Sequence, residues 1–119
     1  MASSRLALLS GFPFAQERKI FRRRAILHID ACCTVDGRTV DVSYRDINLI
    51  VDRPLEIGAA TDLRFNITVD QKTVLLAFNG RIASCILVGM NGYRIRFEID
   101  TTRDHACSTR LAGLMDRLR

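Results

Sequence analysis

Asp62-Leu63-Arg64-Phe65-Asn66-Ile67-Thr68-Val69 is the stretch from which the fold class follows. Leu63, Phe65, Ile67 and Val69 alternate with Asp62, Arg64, Asn66 and Thr68, the period of a strand with one face in a core and the other in water. Downstream, Asp70-Gln71-Lys72 turns the chain into Thr73 to Phe78, Asn79-Gly80 marks a further bend or a bulge, and Arg81 to Val88 continues as strand. Gly89-Met90-Asn91-Gly92 then connects tightly to Tyr93, Ile95, Phe97 and Ile99, which alternate with Arg94, Arg96 and Glu98.

Upstream the same period recurs. Ala25, Leu27, Ile29 and Ala31 alternate with Ile26, His28, Asp30 and Cys32. In Val35-Asp36-Gly37-Arg38, the Asp-Gly pair predicts a type I′ hairpin, because both central residues of that turn need positive φ. The return strand, Thr39 to Tyr44, sends Val40 and Val42 to one face and Asp41 and Ser43 to the other, and Ile47 to Val51 ends at a turn over Asp52-Arg53-Pro54. After these strands the period changes: Cys107, Leu111, Leu114 or Met115, and Leu118 recur at helical spacing, with Thr101 or Thr102 as cap and Asp104 near the positive end of the dipole. The expectation is a mainly β chain, a six-stranded antiparallel barrel over 17–100, preceded by an N-terminal segment, 1–16, and closed by a C-terminal helix, 101–119.

A chain of 119 residues, 48% hydrophobic and 26% charged, fits one self-sufficient domain. The net charge of +5 is local: residues 18 to 24 hold five basic side chains and no acid, and the remainder carries 13 of each sign. One focused patch suits a compact anion or an acidic surface better than a long nucleic-acid track, which would also want interleaved stacking aromatics. Cys32, Cys33, Cys85 and Cys107 form no CxxC pair and have no histidine at metal-ligand spacing, so they read as small core residues with no metal or redox role. The apolar run from Leu6 to Ala15 is broken by Ser10, Gly11 and Pro13, too short to span a bilayer and without a cleavage signal, so no membrane insertion and a cytoplasmic setting are expected.

Ligand chemistry is left to the basic run and the Asp41/Ser43 face. An arginine fork bonds phosphate, reads guanine and stacks on a base, and an acceptor such as Asp41 suits the N–H donors of guanine's Watson-Crick edge. No cysteine has an adjacent base and His28 falls on an outward phase, so an enzyme is not expected.

Arg18-Lys19-Ile20-Phe21-Arg22 is an RxxxR match ahead of the first long strand, and Asp41-Val42-Ser43-Tyr44-Arg45-Asp46 matches DxSxx before ending in aspartate. In that order, with the Asp52-Arg53-Pro54-Leu55 turn and the Gly92-Tyr93-Arg94-Ile95-Arg96-Phe97 ending, the chain from about Glu17 to Ile99 resembles the PilZ family of bacterial signalling domains. The resemblance implies a nucleotide-binding receptor for cyclic di-GMP, with no resident cofactor and an unknown protein partner. Arg18 and Arg22, or Lys19 and Arg23, would hold the phosphates and stack on guanine, while Asp41 and Ser43 read the base. The family's glycine is Asp46 here. At an effective dielectric of 20, its charge about 6 Å from a phosphate costs roughly 3 kcal/mol, about two powers of ten in affinity, unless Arg24 or Arg45 neutralises it. The alternative is a degenerate PilZ interaction module that binds no nucleotide and docks a partner through its basic arm, its Asp46-bearing loop or its helix. On a purely structural reading the basic run is a solvated arm, Asp41 pairs with Arg38 or Arg45, and the helix stripe closes one barrel end or mediates a homodimer.

Overall fold

In the computed structural model, residues 18–30, 32–90, 92–100 and 105–118 are described, with only the backbone of 105–108 included. They form strands β1 (Arg18–Ile20), β2 (Arg24–Ile29), β3 (Cys33–Ser43), β4 (Asp46–Val51), β5 (Ala60–Val69), β6 (Lys72–Gly89) and β7 (Gly92–Ile99), and helix α1 (His105–Arg117). The expected N-terminal segment, the capping threonines and Asp104 lie outside the described residues.

All pairings are antiparallel, and the order β1-β3-β2-β5-β6-β7-β4 returns on itself because β4 also pairs with β3. The sheet is therefore a ring of six staves, the first of them broken: β1 and β2 lie end to end along β3, with Arg18 opposite Ser43 and Arg24 opposite Arg38. The break, Phe21 to Arg23, faces a bulge in β3 where the register with β4 shifts between Thr39 and Asp41. The buried Thr39 hydroxyl stabilises it, donating to the Phe21 carbonyl at 2.6 Å and accepting from the Arg23 N–H at 2.8 Å.

Alternation fills the ring. Leu27, Val35, Val42, Leu49, Leu63, Phe78, Ile95 and Phe97 point inward and are buried, each side chain contributing about 1.5–3 kcal/mol. Phe21 meets Phe65 edge to face at 5.0 Å, and Phe65 stacks on Phe78 at 5.8 Å, so the residue that breaks the first stave is itself anchored in the core. From α1, Leu111, Leu114 and Met115 are buried in the same cluster and Leu118 packs against it.

Two predicted turns are corrected. Gly37 is not in a hairpin turn: it lies inside β3, paired with both Ala25 and Val51, and the β2–β3 pairing closes at Ile29 opposite Cys33. A Cβ on Gly37 would lie 3.0 Å from both Leu49 Cδ1 and Val51 Cγ1, so close packing explains the glycine. The positive φ of a two-residue turn occurs instead at Asp70 (50°) and Gln71 (68°), between β5 and β6. Asn79-Gly80 is likewise interior to β6, and the bulge there falls later, between Ile82 and Ser84. The cysteines also differ from expectation: Cys32 is exposed at a turn and disulfide-paired with its neighbour Cys33, which is half-buried like Cys85.

Candidate functional site

The outward phase of four neighbouring strands builds the site. Arg18 from β1, Asp41 and Ser43 from β3, Asp46 and Asn48 from β4, and Arg94, Arg96 and Glu98 from β7 follow one another across the sheet, because Arg18 is opposite Ser43, Asp41 opposite Asn48, and Asp46, Asn48 and Ile50 opposite Glu98, Arg96 and Arg94.

Arg18 is the centre of the cluster. Its Nη2 donates to Asp41 Oδ1 at 2.6 Å and lies 2.8 Å from Asp46 Oδ1, while its Nε donates to Asp41 Oδ1 at 3.0 Å. Partial burial works against the charged guanidinium, yet the hydrogen bonds to Asp41 and Asp46 and their negative charges outweigh it, and the Arg18 pKa lies above the ordinary arginine value. Asp41 also accepts from Asn48 Nδ2 at 2.9 Å and has Arg94 Nη2 at 3.6 Å. Asp46 has Arg96 Nη1 at 3.6 Å as its second cation. Arg96 and Arg81 continue the series to Glu98, at 3.8 and 2.9 Å.

Ser43 is buried and turned inward on the chain itself. Its Oγ accepts the backbone N–H groups of Arg45 and Asp46, each at 3.1 Å, and donates to Asp46 Oδ1 at 3.2 Å. This is a side-chain-capped turn, which fixes the Asp46 carboxylate beside Asp41 without needing a glycine.

Of the seven candidates, the fold brings together Arg18, Asp41, Ser43 and Asp46. Lys19 is opposite Val42, so its Cβ leaves the sheet on the other face from that of Arg18. Arg22 and Arg23 are exposed in the break of the first stave; Arg23 lies 5.9 Å above the Phe21 ring and donates to the Arg22 carbonyl at 3.3 Å. The neutralisers of Asp46 are Arg18 and Arg96, where Arg24 or Arg45 was expected, and Asp41 pairs with Arg18 and Arg94, where Arg38 or Arg45 was expected. Asn48, Arg94 and Arg96 complete the cluster unforeseen. Their outward phase was readable, but their neighbours depend on which strands pair.

A concavity of about 840 Å³ lies elsewhere, lined by Arg24, Ile26, His28, Arg38 and Arg64 among others and by no residue of the Arg18 cluster. Among the described residues no group of histidine, cysteine or carboxylate side chains has the geometry to hold a metal ion. No helix among them is long and apolar enough to cross a membrane.

This is a PilZ-like fold. Among solved structures the chain is similar to the PilZ domain of CeSA from a cellulose-synthesizing bacterium, with a TM-score of 0.54 and 19% identity, over 84% of this chain and 99% of that one. No family model and no curated protein matches the sequence.

Proposed function

We propose that the chain is a non-catalytic PilZ-like interaction module whose motif face is closed by its own carboxylates, so that it engages a protein partner without cyclic di-GMP. The observation that carries this reading is the sharing of Arg18 between Asp41 and Asp46 at 2.6 and 2.8 Å. A cyclic dinucleotide brings two negative phosphates and needs free guanidinium donors. Arg18 already spends its fork on two carboxylates, in charge-assisted bonds worth about 1.5–3 kcal/mol each. The ligand would have to displace Asp46 from Arg18 and then tolerate its charge. Arg22 and Arg23, the other cations the motif offers, stand outside the cluster.

The receptor reading is favoured by a different observation: Arg18 and Asp41 converge on one outward face, with Ser43 beside them in the sheet, the motif order a guanine ligand needs. One titration separates the two. Calorimetry with cyclic di-GMP at high micromolar concentration is expected to give no binding heat with the wild type and a saturable isotherm with Asp46→Gly, which removes the carboxylate and restores the motif. A saturable wild-type isotherm would overturn the proposal in favour of the receptor.

A further inference from the structure

Strand β6 outruns its neighbour on one side. Its pairing with β5 ends at Ala60 opposite Arg81, and two further backbone bonds from the preceding loop, Gly58 N to Ile82 O at 2.7 Å and Ile82 N to Ala59 O at 3.1 Å, close that edge. Beyond this point Ser84 to Gly89 pair only with β7, on the opposite side. The result is a strand edge with no β partner among the described residues, ending in the hairpin tip.

This edge is apolar on both phases. Ile86, Leu87, Val88 and Met90 are 58, 61, 52 and 96% exposed, and the run from Ile82 to Met90 contains no charge and no proline. Folded proteins ordinarily guard free edges with lysine, proline or a covering element, and exposed apolar clusters mark contact surfaces. Here bulges at Ala83 and Val88 bracket the edge and limit the regular stretch to Ser84–Leu87, which restrains indefinite stacking while leaving one short ladder open.

We propose that the Ser84–Met90 edge is a self-association surface, on which a second copy of this chain pairs antiparallel about a two-fold axis. Charge selects that occupant. The edge offers no charged group to recognise a charged partner, whereas a second copy brings the same neutral apolar side chains and the same unpaired backbone donors and acceptors, which an isologous contact requires. Position supports it. The Arg18–Asp46 ion pair sits where β4 begins, and the tip lies past the end of β4, where Val51 meets Tyr93, with Arg96 and Arg94 of the cluster in between. Five residues of strand, roughly 17 Å, separate those levels. Two copies, each of charge +5, thus meet tip to tip with the start of each basic run directed away. The contact borders the motif face at Arg94 and Arg96, which lie opposite Ile86 and Ser84.

Sedimentation velocity between low and several hundred micromolar tests this. The wild type is expected to shift from monomer to dimer, and Leu87→Lys and Ile86→Glu to remain monomeric with unchanged circular dichroism and thermal midpoint, the dimer weakened at least tenfold. Ile20→Lys, at a residue 74% exposed but outside the hairpin, is expected to dimerise like the wild type. A wild type that stays monomeric throughout overturns the proposal, as does a dimer that persists in both edge variants or is lost in Ile20→Lys.

Discussion

Gly80 lies where β7 crowds β6: a Cβ built there would fall 2.0 Å from the Glu98 carbonyl oxygen and 2.8 Å from Phe97 Cζ. Backbone cannot retreat as a flexible side chain can, so Gly80→Ala is expected to destabilise the fold by about 1–3 kcal/mol or more, read as a lowered urea midpoint. Gly113 in α1 is the contrast, since nothing lies within 4 Å of its added Cβ. Gly113→Ala is expected to raise the same midpoint, by about 0.4–1 kcal/mol, through helix propensity and a less flexible unfolded chain. Both residues are glycines in the sequence, and only three-dimensional neighbours separate their roles. Asp41 and Ser43 were legible as a shared outward face from alternation alone, because that needs only the two-residue period. The partner of Asp46 was not, since Arg18 and Arg96 reach it from other strands.

At the scale of elements, periodicity read well and punctuation unevenly: the turns at Asp70-Gln71 and between Gly89 and Gly92 fall where they were read, those at Asp36-Gly37 and Asn79-Gly80 do not. The strand interiors around Leu63 to Val69 and Tyr93 to Ile99 and the helical stripe of Leu111, Leu114 and Met115 all follow the spacing of their apolar residues. The Asp36-Gly37 turn signal failed because pairing on both sides of β3 holds Gly37 extended, and the tight space beside Leu49 and Val51 gives the glycine another purpose. The first stave shows the coupling between element and site. Phe21 is buried at the break, and the same short segment delivers Arg18 to the carboxylates three residues earlier. Phe21→Ala is expected to cost about 3–5 kcal/mol, the range for emptying a buried aromatic site. It should also loosen β1, so native-state amide exchange at Lys19 and Ile20 is expected to accelerate more than exchange in β5; equal acceleration in both would show that Phe21 supports the ring as a whole and not this stave in particular.

For the whole molecule, the closed ring was legible as a class of architecture but not as a pairing scheme, since β3 joins β2 on one side and β4 on the other, and β6 spans two levels of the ring. That scheme gathers charge into one outward belt running from Arg18 through Asp41 and Asp46 to Arg94 and Arg96, then Glu98 and Arg81, which ties the first stave to the last by ion pairs. The belt has a consequence for stability against pH. Arg18 has its pKa raised in the folded state, with burial opposing and the Asp41 and Asp46 contacts prevailing; Arg64 has its own raised by the hydrogen bonds it donates to Asp62. A group whose folded pKa is raised contributes stability that is fully present below its unfolded value and is lost as pH rises through the folded one. For an arginine that window lies on the strongly alkaline side, far outside working conditions. These cations are therefore expected to impose no slope on stability between pH 6 and pH 9. Urea midpoints measured across that interval should agree within error for the wild type and for Arg18→Gln, the variant lower at every pH. If the offset between them instead changes progressively with pH, a group titrating in that interval is coupled to Arg18, and the belt's charge is not fixed by its arginines.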